Sequence, residues 1–294
     1  ALKANNIDLF VSPDGYLSLA TDVPSVAVMH DLNFEHRPQD LPGAARMYYR
    51  NNFPKFARRA KRIATVSEYS KKDIVQTYGI DPGIIDVVYD GANEAYCPLD
   101  DAEQLEVRKS ASGGCPYFLY IGALHRRKNI IGMLSAFELF KERSRSEVKF
   151  LLIGDPLWKD KSISSFVKTM NFRNDVQFLG YKSEQEIARL LPSALALVLV
   201  SFFEGFGIPV LEAMYCDVPV ITSTVTALPE VAGKAALLVN PESVEEIGQA
   251  MEKIWADTAL RRRLVEKGRE QRKLFSWQQT AEKMWGCIEK SAAC

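Results

Sequence analysis

No apolar run in these 294 residues is long enough to cross a bilayer as a helix. The first residues, Ala1 to Asn6, lack the basic start and apolar centre of a secretory signal. Charge of either sign is not in excess: 37 Lys and Arg balance 37 Asp and Glu, so no bulk field draws the molecule to nucleic acid, and no nucleic-acid partner is expected. Paired cysteines are missing. Cys97, Cys115, Cys216, Cys287 and Cys294 are odd in number, scattered and never at metal-ligand spacing, which points to reduced thiols and no metal site. Repeats and low-complexity tracts are also lacking. These absences predict a cytoplasmic chain and argue against disulfide scaffolds, spanning proteins and repeat arrays.

What is present is a globular balance, 47% apolar and 25% charged, in a chain long enough for two domains. Short apolar runs alternate with helical stretches, the mark of βαβ units and parallel sheets. Ile7–Val11, Ser25–His30, Arg62–Ser67 and Ile85–Tyr89 read as strands of one sheet, with a basic helix over Gly43–Lys61 whose cations form a solvated face. Asp90–Ser112 lacks apolar periodicity and reads as a connection. A second series follows, with strands at Tyr117–Gly122, Lys149–Gly154, Val176–Leu179, Leu195–Ser201 and Val218–Thr222. Its helices fall at Asn129–Arg143, Ser162–Asn171, Ser183–Leu190 and Pro209–Cys216. LALVLVS, apolar on both faces, suits the buried middle of a parallel sheet. The tail, Ser243–Ala256 and Thr258–Lys290, is helical, with Ser276 as an N-cap. The expected organisation is an α/β chain of two doubly wound domains, 1–95 and 96–275, with a last helix at 276–294 packing back toward the first. Their strand ends are expected to face one cleft.

The segment richest in chemistry is Ser201–Cys216, SFFEGFGIPVLEAMYC. A buried strand ends at Ser201, a loop with Gly205 and Gly207 follows, and Pro209 suits a first helical turn. Backbone N–H groups near Phe206, Gly207 and Ile208 would then form an anion site suited to a diphosphate. Glu204 lies in the loop and Glu212 is expected in the helix's first turn. As acceptor-only groups, both suit sugar hydroxyls, Glu212 those of a ribose; ordinary N-terminal helix acids are the plainer alternative. After Tyr117–Gly122 the chain reads GALHRRKN, placing Arg126, Arg127 and Lys128 where cations would stabilise charge developing on a leaving diphosphate. His125 and Arg126 fit a solvated basic turn as well. Met29-His30-Asp31 ends a strand of the first domain, and Ser67, in VSEYSK, is read as a helix N-cap.

Glu204 and Glu212 match the E-x7-E element of retaining GT-B glycosyltransferases. EGFGIPVLEAM, followed by PVITS, ALPEV and VNP, resembles glycosyltransferase family 4 (group 1), and the resemblance spans roughly residues 26–290. It implies a GT-B fold of two Rossmann-like domains, with a nucleoside diphosphate sugar as donor. The acceptor would be a glycan, a lipid-linked carbohydrate or a small molecule. No cofactor and no metal are implied, and a place in polysaccharide biosynthesis is. Among catalytic residues it implies Glu204 beside the donor sugar, His30 contacting it from the first domain, and Lys128 on the diphosphate. Many members carry Arg directly after the glycine where this chain has Ala123, so Arg127 stands in. Donor binding falls to Glu212 on the ribose, to the backbone of Phe206, Gly207 and Ile208, and to Gly122, Gly154, Gly180 and Tyr181 near the base. The expected reaction retains the anomeric configuration by same-face substitution, the leaving phosphate taking the acceptor's proton. Peripheral contact with the inner face of a membrane is compatible with the basic helix. The chain reaches His30 after only 29 residues, so the first domain is expected to be incomplete at its N-terminus. A sugar-nucleotide isomerase or epimerase of the same fold, or an inactive nucleotide-sugar-binding homologue, would carry many of the same features.

Overall fold

The computed structural model describes Leu2, residues 5–155 and residues 161–292; Ala1 and Cys294, named above, lie outside them. The chain divides into two compact units. The first comprises Ala1–Gly91, Glu204–Phe206 and Phe275–Cys294, the second Ala92–Phe203 and Gly207–Leu274.

In the first unit, strands Phe10–Ser12 (β1), Ser25–Met29 (β2), Arg62–Thr65 (β3) and Ile85–Val87 (β4) form a parallel sheet in the order β1-β2-β3-β4. The expected strand over Ile7–Val11 starts later. Ile7 is 39% exposed, and pairing with β2 begins only where the Phe10 N–H donates to the Pro24 carbonyl. Three helices follow the strands, Asn33–His36 (α1), Gly43–Arg59 (α2) and Glu68–Tyr78 (α3). α2 buries Phe53, Phe56 and Ala57 in a core with Ala27, Met29, Ile63, Ile74 and Ile85. α3 starts at Ser67, whose hydroxyl accepts from the Ser70 N–H, and stops at Gly79, where φ is 66°. The C-terminal helix, Trp277–Ala292, packs on β2, β3 and β4 and buries Cys287 beside Val26 and Ala64.

The second unit opens with a helix, Asp101–Ser112 (α4), where the sequence suggested only a connection. The acidic cluster there is its capping box: Asp100 accepts from the Glu103 N–H, and Glu103 accepts from the Asp100 N–H. Then come Tyr117–Ile121 (β5), Ile130–Ser144 (α5), Lys149–Ile153 (β6), Ser162–Thr169 (α6), Val176–Gly180 (β7), Glu184–Leu190 (α7) and Ala196–Leu199 (β8). Ile208–Tyr215 (α8), Val220–Ser223 (β9), Leu228–Ala232 (α9), Ala236–Val239 (β10), Val244–Ala256 (α10) and Thr258–Gln271 (α11) complete it. The helical tail after Thr258 is interrupted between Gln271 and Trp277, and the last helix starts behind Ser276, whose hydroxyl accepts from the Gln279 N–H at 3.2 Å.

All pairings are parallel, in the order β10-β9-β8-β5-β6-β7. β5 and β8 are buried along their whole length, as strands covered by helices on both faces must be. Successive strands run outward in one direction from β5 and in the other from β8. The order reverses between these two neighbours, which opens a crevice at their carboxyl ends.

Candidate active site

The loops that follow β5 and β8 meet at this reversal. Arg127 donates through Nη1 to the Phe203 carbonyl at 2.6 Å, and the Phe202 N–H donates to the Arg127 carbonyl at 2.9 Å. The GALHRRKN loop is itself shaped by a turn of 3₁₀ helix over Arg126–Lys128, entered where His125 Nδ1 accepts from the Arg127 N–H. It ends at Asn129 (φ 56°), whose side chain donates to the Pro241 carbonyl at 2.7 Å. Arg127 and Lys128 are partly buried, and Arg126 faces solvent. A positioning role, holding the two crevice loops together, is thus visible for Arg127.

Gly122, Gly154 and Gly180 stand at the ends of β5, β6 and β7 with φ of 146°, 135° and 66°. The Gly122 N–H donates to the Ile153 carbonyl and the Gly154 N–H to the Gly180 carbonyl, each at 3.0 Å. A Cβ on Gly154 would run into the Gly122 carbonyl, so these turns are backbone against backbone. Tyr181, next along, is 78% exposed.

On the other side of the reversal, Gly207 (φ 101°) caps α8, with Pro209 in its first turn. The first N–H groups of such a helix have no intrahelical acceptor. Glu212 is the fifth residue of α8 and lies in the second turn, not the first, because the helix starts at Ile208. Its carboxyl accepts from the hydroxyl of the buried Tyr96, while burial pushes its pKa up to about 7, which that hydrogen bond opposes and Glu184 reinforces. Tyr96 carries no spacing signal; only the fold brings it to Glu212.

Glu204 and Phe206 belong to the first unit, whereas Glu212, Gly207 and Ile208 belong to the second. Glu204 is buried, 6% exposed. Next to it, the Gly205 carbonyl accepts from Ser67 Oγ at 2.7 Å, and a Cβ on Gly205 would strike the His30 carbonyl. That carbonyl accepts from Ser70 Oγ at 3.1 Å. Ser67 therefore both caps α3 and anchors the glutamate-bearing loop. The Phe206 ring packs against Tyr89 and Phe275, with centroids 6.2 and 5.5 Å away.

The His30 imidazole, exposed at the end of β2, holds the Pro13 carbonyl through Nε2 at 3.0 Å. A carbonyl only accepts, so Nε2 carries a proton, which in a neutral imidazole leaves Nδ1 as the acceptor. A sugar hydroxyl would donate to His30 rather than receive from it. Asp90, another residue that spacing does not single out, lies near His30; burial raises its pKa to about 6, and only a protonated His30 would pull the other way. Among the described residues, no group of three or more His, Cys, Asp or Glu side chains could hold a metal ion.

Residues 101–271 match the family "Glycosyl transferases group 1", and residues 1–96 match "Glycosyltransferase Family 4". O-antigen chain mannosyltransferase B of Escherichia coli is 32% identical over 279 residues, 95% of this chain and 73% of that protein. O-antigen chain mannosyltransferase RfbU of Salmonella typhimurium is 28% identical over 226 residues, 77% of this chain and 59% of that one. The serotype-specific mannosyltransferase WbdA of Escherichia coli is 28% identical over 272 residues, 89% of this chain but 33% of its own length. Among solved structures, Anabaena HepE in complex with UDP and glucose superposes with a TM-score of 0.84 at 18% identity, covering 98% of this chain and 79% of that one. That likeness is one of fold, the GT-B arrangement of two parallel-sheet Rossmann-like domains. The chain belongs to the group 1 glycosyltransferases and is homologous to O-antigen mannosyltransferases.

Proposed function

We propose that this glycosyltransferase moves a mannosyl group from a nucleoside diphosphate onto a growing glycan, with retention of anomeric configuration. The carrying observation is the β5/β8 reversal, where Arg127 ties the two loops together and Lys128 and the start of α8 border the same crevice. Mannose is the proposed sugar because the three curated relatives named above are mannosyltransferases.

In this proposal the glycine ends of β5, β6 and β7 accommodate the nucleoside, and Glu212 accepts hydrogen bonds from the ribose hydroxyls. The diphosphate lies on the start of α8, backed by Lys128, which stabilises the charge that develops as the glycosidic bond breaks. Glu204 and His30 Nδ1 accept from hydroxyls of the sugar. The acceptor hydroxyl attacks the anomeric carbon from the face the diphosphate leaves. Its proton passes to the departing phosphate oxygen, so no protein base, cofactor or metal is assigned a step. The four cysteines among the described residues are free thiols, which supports a reducing compartment such as the cytoplasm. The basic α2, with Met47 64% and Tyr48 47% exposed, supports peripheral contact with a membrane bearing a lipid-linked acceptor. Among the described residues no helix is long and apolar enough to cross one.

The test is incubation with nucleoside diphosphate mannose and a mannan acceptor, reading the anomeric configuration of the product by NMR. Retention is expected, with turnover at least tenfold lower for Glu204→Gln, as loss of a charge-assisted contact of about 1.5–3 kcal/mol implies. An inverted product, or a Glu204→Gln enzyme at full turnover, would remove the mechanism or the role. Release of free nucleotide with epimerised sugar would point instead to an isomerase.

A further inference from the structure

The opposite edge of the second unit's sheet carries a cavity of about 510 Å³. It borders the amino ends of three adjacent strands: Pro116, Leu195 and Pro219 line it and directly precede β5, β8 and β9. It therefore lies a strand's length, roughly 15 Å, from the glycine ends and Lys128. α11 supplies one wall. Arg261, Val265 and Arg269 recur at four-residue intervals and so share one face, and Arg262 and Glu266 form the adjoining row.

Four arginines (108, 261, 262 and 269) line this cavity against two carboxylates, Asp217 and Glu266. Asp217 is taken up by Arg269 in a two-pronged pair at 3.0 and 2.6 Å. Arg108 donates to the Ser193 carbonyl at 2.8 Å and to the Gln104 side chain at 3.2 Å, and Arg261 donates to Thr258 Oγ1 at 2.8 Å and to the Ile254 and Trp255 carbonyls at the end of α10. All of these partners are neutral: they orient the guanidinium planes without cancelling their charge. Burial accordingly holds the Arg261 pKa below its ordinary value, against the pull of Asp257. Several guanidinium groups around a concavity of ligand size can hold a phosphate by two-pronged, charge-assisted hydrogen bonds.

We propose that this cavity is a second anion site, taking a small phosphorylated metabolite of sugar phosphate or diphosphate type at the edge of the sheet opposite the donor crevice. Arg261 and Arg108 are held ready by their neutral partners, and Arg262, solvent-exposed at the rim, completes the fork for a phosphate. The inference does not depend on the proposed sugar or stereochemistry, because none of these side chains takes part in them.

The experiment is calorimetric titration of the full chain with inorganic pyrophosphate at low salt, comparing wild type, Arg262→Glu, Arg262→Gln and Lys128→Ala. Lys128→Ala is expected to keep one saturable event. Arg262→Glu should weaken that event by about tenfold or more and Arg262→Gln by less, with unchanged thermal midpoints in the absence of ligand. Raised ionic strength should weaken it in the wild type as well. The proposal is overturned if Arg262→Glu titrates like the wild type, if Lys128→Ala abolishes all binding, or if the wild type shows no saturable event at millimolar pyrophosphate.

Discussion

The carboxyl edges of the two sheets are built from different material. In the second unit the edge is backbone: Gly122, Gly154 and Gly180 in left-handed conformations, joined by main-chain hydrogen bonds. In the first unit it is side chain: His30 on the Pro13 carbonyl, Ser67 and Ser70 on the Gly205 and His30 carbonyls, Thr65 on the Met29 carbonyl. A backbone edge offers donors and acceptors at fixed spacing whatever the residue type, which suits a component common to many donors. A side-chain edge can be changed one residue at a time without altering the turn beneath it. On the proposed function, the second unit holds the nucleotide, and the first reads the sugar and acceptor.

The largest effect that would sharpen this comparison is expected at Lys128. Lys128→Ala should lower turnover by about 100- to 1000-fold, the usual cost of about 2.7–4 kcal/mol for losing one preorganised charge-stabilising group. Ser67→Ala, by contrast, loses two neutral hydrogen bonds, the α3 cap and the tie to the Gly205 carbonyl, at about 0.5–1.5 kcal/mol each, and should lower turnover by less. Steady-state kinetics of the two variants decide it; a larger loss for Ser67 would reverse the roles assigned to the two edges.

Next in size is the backbone edge itself. Gly154→Ala forces a Cβ toward the Gly122 carbonyl at a φ of 135°, and should cost about 1–3 kcal/mol of stability. His30→Ala on the side-chain edge should leave the urea midpoint unchanged while reducing activity. Equal urea midpoints for wild type and Gly154→Ala would show that the backbone edge tolerates change after all.

The smallest effect concerns Glu212, an ionisable group on the backbone side. Its carboxyl titrates from 4.5 in the unfolded chain to about 7 in the fold. Between those values the folded chain keeps a proton that the unfolded chain releases. Its stabilising contribution is therefore complete below pH 4.5, falls as pH rises, and is gone above about 7. Its partial exposure screens the effect, leaving about 1–2 kcal/mol. Thermal melts from pH 4 to 8 should show the wild type losing stability relative to Glu212→Gln across this window, and parallel curves would refute the raised pKa.

Much of the second unit was legible because its signals are local. The apolar run around Ala196–Leu199, the glycines and Pro209 at the start of α8, and Ser183 before α7 each specify their own turn or strand. α4 was missed because its helix-forming signal is a capping box over a mostly polar face, with Val107 and Ser112 its only buried residues. The first strand starts at Phe10 instead of Ile7, and the helix bearing Glu212 at Ile208 instead of Pro209, since pairing partners and helix starts depend on what lies alongside. Tyr96, Asp90 and the arginine-lined cavity had no sequence signal, because the residues involved come from distant positions.

By itself, then, the sequence determined the two parallel α/β series, the glycine turns and the family, all written in short stretches of chain whose conformational preferences are local. The tertiary structure decided the strand order that opens the β5/β8 crevice, the tie between Arg127 and Phe203, the tautomer of His30 and the raised pKa of Glu212. Each of these depends on a partner far away in sequence, and a hydrogen bond or a desolvated charge has no energy until folding brings that partner within a few ångströms.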